Sequence, residues 1–368
     1  MIRITRLCLI AGLLAASPAS LPAEVLVSGF TSGQILRYAE TNGAFLDAFV
    51  NNANGALNLP HGLAFGPDGH LYVASAGNDR VVRYDGATGA FIDVFIPTGS
   101  GGLDYPVALV FRPDGYLYVS SQLSDQVLRY NATTGAFAGV FVAATAELDG
   151  PSDMTFGPDG NLYVVGRFNN RVVRYDGSNG ALLGAFATNN LSQPFGLRFG
   201  PDGFLYVVSG NGASVQRFDG STGAWVDAAI PSGSGGLSLP VGASFGPDGA
   251  LYVASFSNNK LARFDVTTGS ALGDFVTSGS GGLNGPNFFT FRSTTNTTPS
   301  APAVAVTPTN ALLSWPTTAT GWTVQTNSAL APGSTWGQVV RPVTRSGGFF
   351  AMSFPRTNDQ QFFRLVTP

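Results

Sequence analysis

The chain has 368 residues, of which 44% are hydrophobic and only 11% are charged, and it contains 48 glycines and 23 prolines. Twenty-eight phenylalanines, 11 tyrosines and 4 tryptophans supply enough apolar surface for a packed core, which excludes wholesale disorder. The formal net charge of −3 excludes a protein that attracts nucleic acid through a basic surface.

The first 23 residues have the pattern of a secretory signal peptide. Arg3 and Arg6 precede an apolar run over residues 7–16, and small residues follow up to Ala23. The run is shorter than the roughly 20 residues that span a bilayer, and we find no transmembrane segment elsewhere. We expect cleavage after Ala23, with Ala19 as the alternative, and a secreted protein in the periplasm, at the cell surface or outside the cell. The mature chain then has no cysteine, which excludes disulfides and thiol ligands.

A turn of sequence Pro-Asp-Gly recurs five times, at intervals of 43 to 46 residues. After each turn come a Leu-Tyr-Val strand, a strand that ends in Arg-Tyr or Arg-Phe, a Thr-Gly or Asn-Gly turn, and a fourth apolar strand. Proline sets φ in a type I turn and glycine follows it, whereas the later glycine supplies the positive φ of a tight hairpin. Four short antiparallel strands in each repeat are typical of one β-propeller blade. The aspartates of the turn are Asp68, Asp114, Asp159, Asp202 and Asp248.

The arginine that ends the third strand occurs six times, once more often than the turn. Residues 25–50 contain a second, third and fourth strand without a first, and residues 287–291 resemble a first strand with nothing after it. Together they complete a sixth blade, so we predict an all-β, six-bladed propeller over residues 24–293 that is closed by its two ends. We expect the arginines to bond to neighbouring aspartates or backbone rather than to line the channel: Arg37, Arg83, Arg129, Arg174, Arg217 and Arg263.

Blades such as residues 60–81, with the segments Pro-His-Gly-Leu-Ala-Phe-Gly-Pro-Asp-Gly and Leu-Tyr-Val-Ala-Ser, resemble NHL repeats. More distantly they are similar to the propellers of gluconolactonases and streptogramin B lyase. The resemblance covers about 270 residues and implies the fold, but these relatives include enzymes, scaffolds and RNA binders. NHL repeats often have Asp after the Tyr-Val-Ala strand. This chain has other residues there: Ser28, Ser75, Ser121, Gly166, Ser209 and Ser255.

The C-terminal part has a different composition. Residues 294–302 form a polar linker rich in Thr and Pro, and residues 303–368 contain short strands that predict a small β-sandwich. Trp315, Trp322 and Trp336 are expected in its core, and the alternative is that they stack on sugar rings.

Three polar residues from different blades are predicted at the mouth of the central channel. His61 and Asn287 share one position at the start of a first strand, and Asp153 is one position further along in its own blade. The resemblance to gluconolactonases implies a divalent cation, such as calcium, held by a carboxylate and an Asn at this rim. Asn287 matches best, but no second carboxylate is evident. The resemblance to the lyase implies a catalytic His and Glu, and Glu147 is the candidate glutamate, with a solvated loop acid as the alternative.

The loops between second and third strands carry aromatic and amide side chains that suit recognition of a protein, peptide or carbohydrate. Our leading hypothesis is a secreted, monomeric, non-enzymatic binding scaffold without a cofactor and without nucleic-acid binding. The alternative is a metal-dependent lactonase or lyase that uses His61, Asp153 and Asn287. The loop candidates are Phe30, Arg167, Phe168, Asn169, Asn211, Phe256 and Asn258, with Tyr105 and Phe195 from loops between blades.

Overall fold

A computed structural model describes residues 23–52 and 56–292 and, for the backbone only, seven strands after residue 302. The predicted signal peptide before residue 23 and the linker 294–302 lie outside the described residues. By its contacts, Leu21–Ser293 is one compact unit, and the later strands belong to another. No described helix is long and apolar enough to cross a membrane.

The described ring consists of six four-stranded antiparallel sheets, which confirms the predicted six-bladed propeller. Blade 1 joins the two ends of the ring: β24 (Pro286–Arg292) pairs with β1 (Glu24–Gly29), followed by β2 (Gln34–Ala39) and β3 (Phe45–Val50). The other blades, each with its innermost strand first, are blade 2 with β4 (Pro60–Phe65), β5 (Leu71–Ser75), β6 (Arg80–Tyr84) and β7 (Phe91–Ile96); blade 3 with β8 (Pro106–Phe111), β9 (Tyr116–Ser121), β10 (Gln126–Asn131) and β11 (Phe137–Val142); blade 4 with β12 (Pro151–Phe156), β13 (Leu162–Gly166), β14 (Arg171–Tyr175) and β15 (Leu182–Ala187); blade 5 with β16 (Pro194–Phe199), β17 (Leu205–Ser209), β18 (Ser214–Phe218) and β19 (Trp225–Ile230); and blade 6 with β20 (Pro240–Phe245), β21 (Leu251–Ser255), β22 (Lys260–Asp265) and β23 (Ser270–Val276).

Five single-turn 3-10 helices lie in the loops. Two follow a second strand and three connect successive blades. They are η1 (Ala76–Asn78), η2 (Ser100–Gly102), η3 (Ser234–Gly236), η4 (Phe256–Asn258) and η5 (Ser280–Gly282).

The Pro-Asp-Gly turns are held by side-chain hydrogen bonds. The Asp68 carboxylate accepts the His70 amide at 3.1 Å and the Tyr72 hydroxyl at 2.8 Å, and Gly69 has a φ of 79°. The other four aspartates accept the equivalent tyrosine hydroxyl. The turn therefore fixes the start of each second strand to its own tyrosine.

The repeated third-strand arginines have structural partners, as predicted. Arg83 donates from Nε to Asp93 Oδ1 at 3.1 Å and from Nη2 to Oδ2 at 2.6 Å, and its guanidinium lies 5.1 Å from the centre of the Phe95 ring. Arg37 and Arg217 form the same pairs with Asp47 and Asp227 on their fourth strands. These arginines pair adjacent strands within a blade rather than facing the channel.

Each innermost strand begins with proline and then bulges, because its second and third residues face a single residue of the second strand. The residue before each proline has a positive φ, which bulky residues rarely adopt. In four blades an Asp or Asn of the preceding blade accepts that residue's amide, as Asp79 Oδ1 accepts the Tyr105 N–H at 2.9 Å. Neighbouring blades thus fix the backbone that starts each innermost strand.

The C-terminal strands form two antiparallel sheets, ordered β25-β26-β30-β29 and β28-β27-β31. Six of them match the predicted strands, and one near residue 345 is additional. The side chains of the three tryptophans lie outside the described part of the chain. The strands are β25 (Ala303–Val306), β26 (Asn310–Pro316), β27 (Thr323–Asn327), β28 (Gly337–Gln338), β29 (Thr344–Ser346), β30 (Phe349–Pro355) and β31 (Phe362–Val366).

Candidate functional site

The channel mouth is formed where the six innermost strands begin. The second residue of each strand has the same place in its bulge, as the sequence alignment of the repeats predicts. These residues are His61, Val107, Ser152, Phe195, Val241 and Asn287, and all of them are buried. The loops between second and third strands lie at the same end of the blades, so loop side chains can reach this ring.

His61 and Asn287 are in direct contact, although they are 226 residues apart. Asn287 Nδ2 lies 2.7 Å from His61 Nδ1, and Tyr105 Oη lies 3.4 Å from His61 Nε2. The Phe30 ring packs edge-on against the imidazole with its centroid 5.0 Å away. Only 3% of His61 is exposed. The structure therefore brings two of the three predicted channel residues together.

His61 is a neutral histidine at physiological pH. Burial, together with the smaller effect of the nearby Arg167 cation, lowers the pKa of His61 from 6.5 to about 3. Because the Asn287 amide nitrogen donates to Nδ1, the ring proton is on Nε2, on the side of the Tyr105 hydroxyl. Among the described residues no carboxylate contacts this ring, so it lacks the acidic partner that would make it a strong base.

Arg167 reaches from the loop after β13 onto the ring of channel residues. Its guanidinium lies 3.9 Å from the centre of the Phe195 ring and 5.3 Å from that of Phe168. Its Nε is buried without a hydrogen-bond partner. Burial lowers the pKa of Arg167, yet a guanidinium remains charged at neutral pH. The channel mouth therefore has a positive charge flanked by aromatic faces.

Tyr105 owes its place to a constrained backbone. It precedes Pro106 with a φ of 54°, and the Asp79 carboxylate accepts its amide. This conformation sets the phenol edge-on to the His61 ring, with the centroids 5.4 Å apart. The sequence indicated Tyr105 only as a loop aromatic. The signal that locates it is its position before the proline that starts each innermost strand.

Asp153 belongs to a separate polar pair within the channel. Its Oδ2 lies 2.8 Å from Arg198 Nη1 and accepts the Leu197 amide at 3.1 Å. Burial raises the pKa of Asp153, and the Arg198 charge opposes that effect. The pair lines a cavity of about 110 Å³. Sequence reasoning missed Arg198, although it is a charged residue where the other innermost strands have Ala, Val, Thr or Ser.

The remaining candidates have different environments. The Phe168 side chain is 47% exposed, and Phe256 packs edge-on against Phe30 with the ring centroids 5.7 Å apart. Asn211 is exposed on its loop. Asn169 and Asn258 donate to the backbone carbonyls of Glu147 and Gly236, and so connect their loops to the loops between blades. Glu147 forms an ion pair with Arg171 at 2.7 Å. This contact is compatible with the second interpretation of Glu147, an acidic residue in a solvated loop.

The channel residues do not suit a divalent cation. Among the described residues, no three His, Cys, Asp or Glu side chains lie close enough to bind a metal ion together. A cation at Asp153 would lie beside the Arg198 guanidinium, and one at His61 and Asn287 would lie near the Arg167 charge. Divalent hard cations need several oxygen ligands and no competing positive charge.

The comparisons with known proteins agree with the fold. The family described as "Lactonase, 7-bladed beta-propeller" matches residues 50–224, a little under half of the chain, which here contain blades 2 to 4 and three strands of blade 5. The described ring has six blades where that description gives seven. The sequence matches no curated protein.

Two solved structures with low sequence identity share the propeller, and a third aligns less well. A chain of a nidogen/laminin complex aligns with a TM-score of 0.60 and 17% identity, over 74% of this chain and 99% of that chain. A protein of unknown function from Bacteroides caccae aligns with a TM-score of 0.57 and 14% identity, over 73% of this chain and 98% of that chain. A streptogramin B lyase structure aligns with a TM-score of 0.46 and 15% identity, over 79% of this chain and 80% of that chain.

Proposed function

We propose that this propeller is a secreted binding module that takes a ligand at the channel mouth without converting it chemically. The observation that carries the proposal is the composition of the mouth: aromatic faces, and a guanidinium and a neutral histidine that no carboxylate contacts among the described residues. Such a set can orient a ligand by hydrogen bonds and stacking. It lacks the paired acid and base that hydrolysis or elimination needs.

Other features support parts of this proposal. The predicted signal peptide supports export. A propeller of the same fold is part of a nidogen/laminin complex, which supports binding of macromolecules by such rings. The ring itself is rigid around the site, because the blades are linked by the hydrogen bonds that start each innermost strand.

The test is to purify the full mature chain and to measure both binding and turnover. Soluble sugars, sugar acids and short peptides are screened by thermal shift and calorimetry, and each bound compound is then incubated with the protein and analysed for products by mass spectrometry. We expect saturable binding that Phe168→Ala and Tyr105→Phe weaken, and unchanged compound after incubation. Product formation that His61→Phe abolishes would overturn the proposal.

A lactonase or lyase is the second candidate, and the family match over residues 50–224 favours it. It predicts that the purified chain contains a divalent ion, and it requires that Asp153 leave Arg198 and join His61 and Asn287 around that ion. Elemental analysis and melting before and after chelation, followed by assays with lactones, test it. A stoichiometric ion together with lactone hydrolysis that Asn287→Ala abolishes would establish the enzyme and refute the binding module.

A further inference from the structure

Among the described residues of the ring, Arg167 differs from the other arginines because its guanidinium has no polar partner. Nine of them have a hydrogen bond or ion pair with a carboxylate or a carbonyl: Arg37, Arg80, Arg83, Arg112, Arg171, Arg198, Arg217, Arg263 and Arg292. Arg129 and Arg174 interact with the hydroxyl groups of Tyr118 and Tyr163 on the neighbouring strands. Within the described part of the chain, the Arg167 guanidinium contacts the faces of the Phe168 and Phe195 rings instead. Its charge is therefore available to a ligand.

Several polar atoms buried at the mouth lack a hydrogen-bond partner among the described residues, Gln122 Nε2 and Asn169 Oδ1 included, and two of those beside the channel have opposite character. Arg167 Nε is a donor, and Asn287 Oδ1 is an acceptor whose amide nitrogen is already used by His61. Buried polar groups in native proteins nearly always have a hydrogen-bond partner, so each unsatisfied group needs an explanation. A bound ligand that carries both an acceptor and a donor satisfies the two atoms at once.

We infer that the ligand is a hydroxy carboxylate, such as a uronic acid sugar, and this inference rests on the binding function proposed above. The carboxylate pairs with the Arg167 guanidinium, which presents parallel N–H donors that match two carboxylate oxygens. A hydroxyl of the ligand donates to Asn287 Oδ1. His61, which contacts Asn287, and the Tyr105 hydroxyl beside its Nε2 are further hydrogen-bond groups at the mouth. The exposed Phe168 ring offers a face for the C–H side of a sugar.

The charge at the site selects a carboxylate over a phosphate. One guanidinium balances one negative charge, and the structure places no second unpaired cation at the mouth among the described residues. The chain as a whole has a net charge of −3, so its long-range field does not favour a dianion. Recognition is therefore short-range and depends on the hydroxyl as well as on the carboxylate.

Calorimetry on the full mature chain tests the inference with four probes: galacturonate, its uncharged parent galactose, lactate and acetate. Galacturonate is expected to bind best, because it alone combines the sugar ring, the hydroxyls and the carboxylate. Binding of lactate as tightly as galacturonate assigns the site to small hydroxy acids, and galacturonate preference assigns it to sugar acids. Either result supports the hydroxy carboxylate, and equal binding of acetate overturns the role of the hydroxyl.

Two variants and one control separate the charge from the fold. Arg167→Gln removes the charge and keeps a shorter polar side chain whose amide nitrogen replaces Nε, and we expect it to weaken galacturonate binding at least about tenfold and galactose binding little. Asn287→Asp places a negative charge beside the same carboxylate and should also weaken galacturonate selectively. Arg171→Gln lies four residues away, is paired with Glu147, and should leave the affinity unchanged.

The outcomes distinguish this inference from the binding function itself. Galactose and galacturonate that bind equally, with no effect of Arg167→Gln, refute the carboxylate site and leave a binding module. No saturable binding of any acidic probe to the folded wild-type protein also refutes the inference. Conversion of a probe into product refutes the proposed binding function instead.

Discussion

His61 links the chemistry of the channel mouth to the stability of the ring. A histidine that is neutral in the folded protein with a pKa near 3, but ionises near 6.5 when unfolded, favours the unfolded state as the pH falls. Its contribution to stability is present above the unfolded pKa and is lost as the pH decreases from 6.5 towards 3. The sign follows from the unfolded chain binding more protons in that interval.

This linkage gives a prediction for His61→Gln, which removes the titrating group. Between about pH 7.5 and about pH 5 the wild type should lose about 2 kcal/mol of unfolding free energy relative to the variant. Urea denaturation of both proteins at the two pH values measures the difference. Parallel profiles would show that His61 is not held neutral by its surroundings.

Ala213 is the residue at which a missing hydrogen bond can be restored. It has a φ of 47° and the loop position at which Asp79, Asp125, Asn170 and Asn259 accept an amide of the next blade. Asparagine tolerates this left-handed conformation better than alanine. We predict that Ala213→Asn stabilises the protein by about 1 kcal/mol, or a rise of about 2 °C in Tm.

A matched variant separates the two causes of that gain. Ala213→Gly relieves the strained φ but adds no acceptor, so its stability should fall below that of Ala213→Asn. The reverse change, Asn259→Ala, should cost about 1 kcal/mol, because it removes the acceptor of the Gly285 amide. If Ala213→Gly equals Ala213→Asn in calorimetric Tm, the blade-to-blade bond contributes nothing there.

The candidate site was only partly predictable from sequence. The shared position of His61 and Asn287 followed from aligning the repeats, because residues equivalent in a ring meet at its axis. The ion pair of Asp153 with Arg198 and the orientation of Tyr105 did not follow. They depend on which way a side chain turns at a bulge and on a backbone conformation that the preceding blade imposes.

At the level of strands, the close approach of neighbouring blades determines which residues the bulge accepts. Gly242 is the third residue of β20, and a Cβ there would lie 2.5 Å from the Asn287 carbonyl oxygen of the adjacent blade. The φ of Gly242 is not in the left-handed region, so the constraint is contact alone. Ala108 has the same position in β8 and is buried without such a clash.

The contrast predicts a different loss of stability when glycine and alanine are exchanged at the two equivalent positions. Gly242→Ala should lower the unfolding free energy by about 2 kcal/mol, because the added methyl group pushes the innermost strands apart. Ala108→Gly should cost less, about 1 kcal/mol, from chain entropy and lost packing. Chemical denaturation of the pair measures both, and equal losses would mean that the blade contact can relax.

The strands themselves were largely predictable, because each repeat contains local signals that specify its own turns. The Pro-Asp-Gly turn needs only a proline, a glycine and the tyrosine four residues after the aspartate. The number of blades followed from counting the arginines of the third strands. The bulges were not predictable, since they are set by packing between innermost strands that are more than 40 residues apart.

At the level of the whole ring, closure depends on β24 and on the ionic contacts at its last residue. The fully buried Glu24 pairs at 2.5 Å with Arg292 and at 3.3 Å with Arg37. Arg292 also donates to the carbonyl of Gly86 in blade 2, and its guanidinium lies 5.1 Å from the centre of the Phe65 ring. One side chain thus connects the two ends of the ring to the next blade.

Arg292→Ala should therefore cost about 3 kcal/mol, because it leaves the Glu24 charge buried with a weaker partner. Glu24→Gln in the same protein should recover much of the loss, and a double-mutant cycle in urea measures the coupling.

Burial already raises the pKa of Glu24, and losing Arg292 raises it further. A carboxyl with a raised folded pKa favours the folded state at low pH and loses that advantage as the pH rises through the folded pKa. The Arg292→Ala variant should consequently regain stability relative to wild type as the pH is lowered towards the unfolded pKa of 4.5. A pH-independent difference would instead assign the cost to lost packing on Phe65 and Phe49.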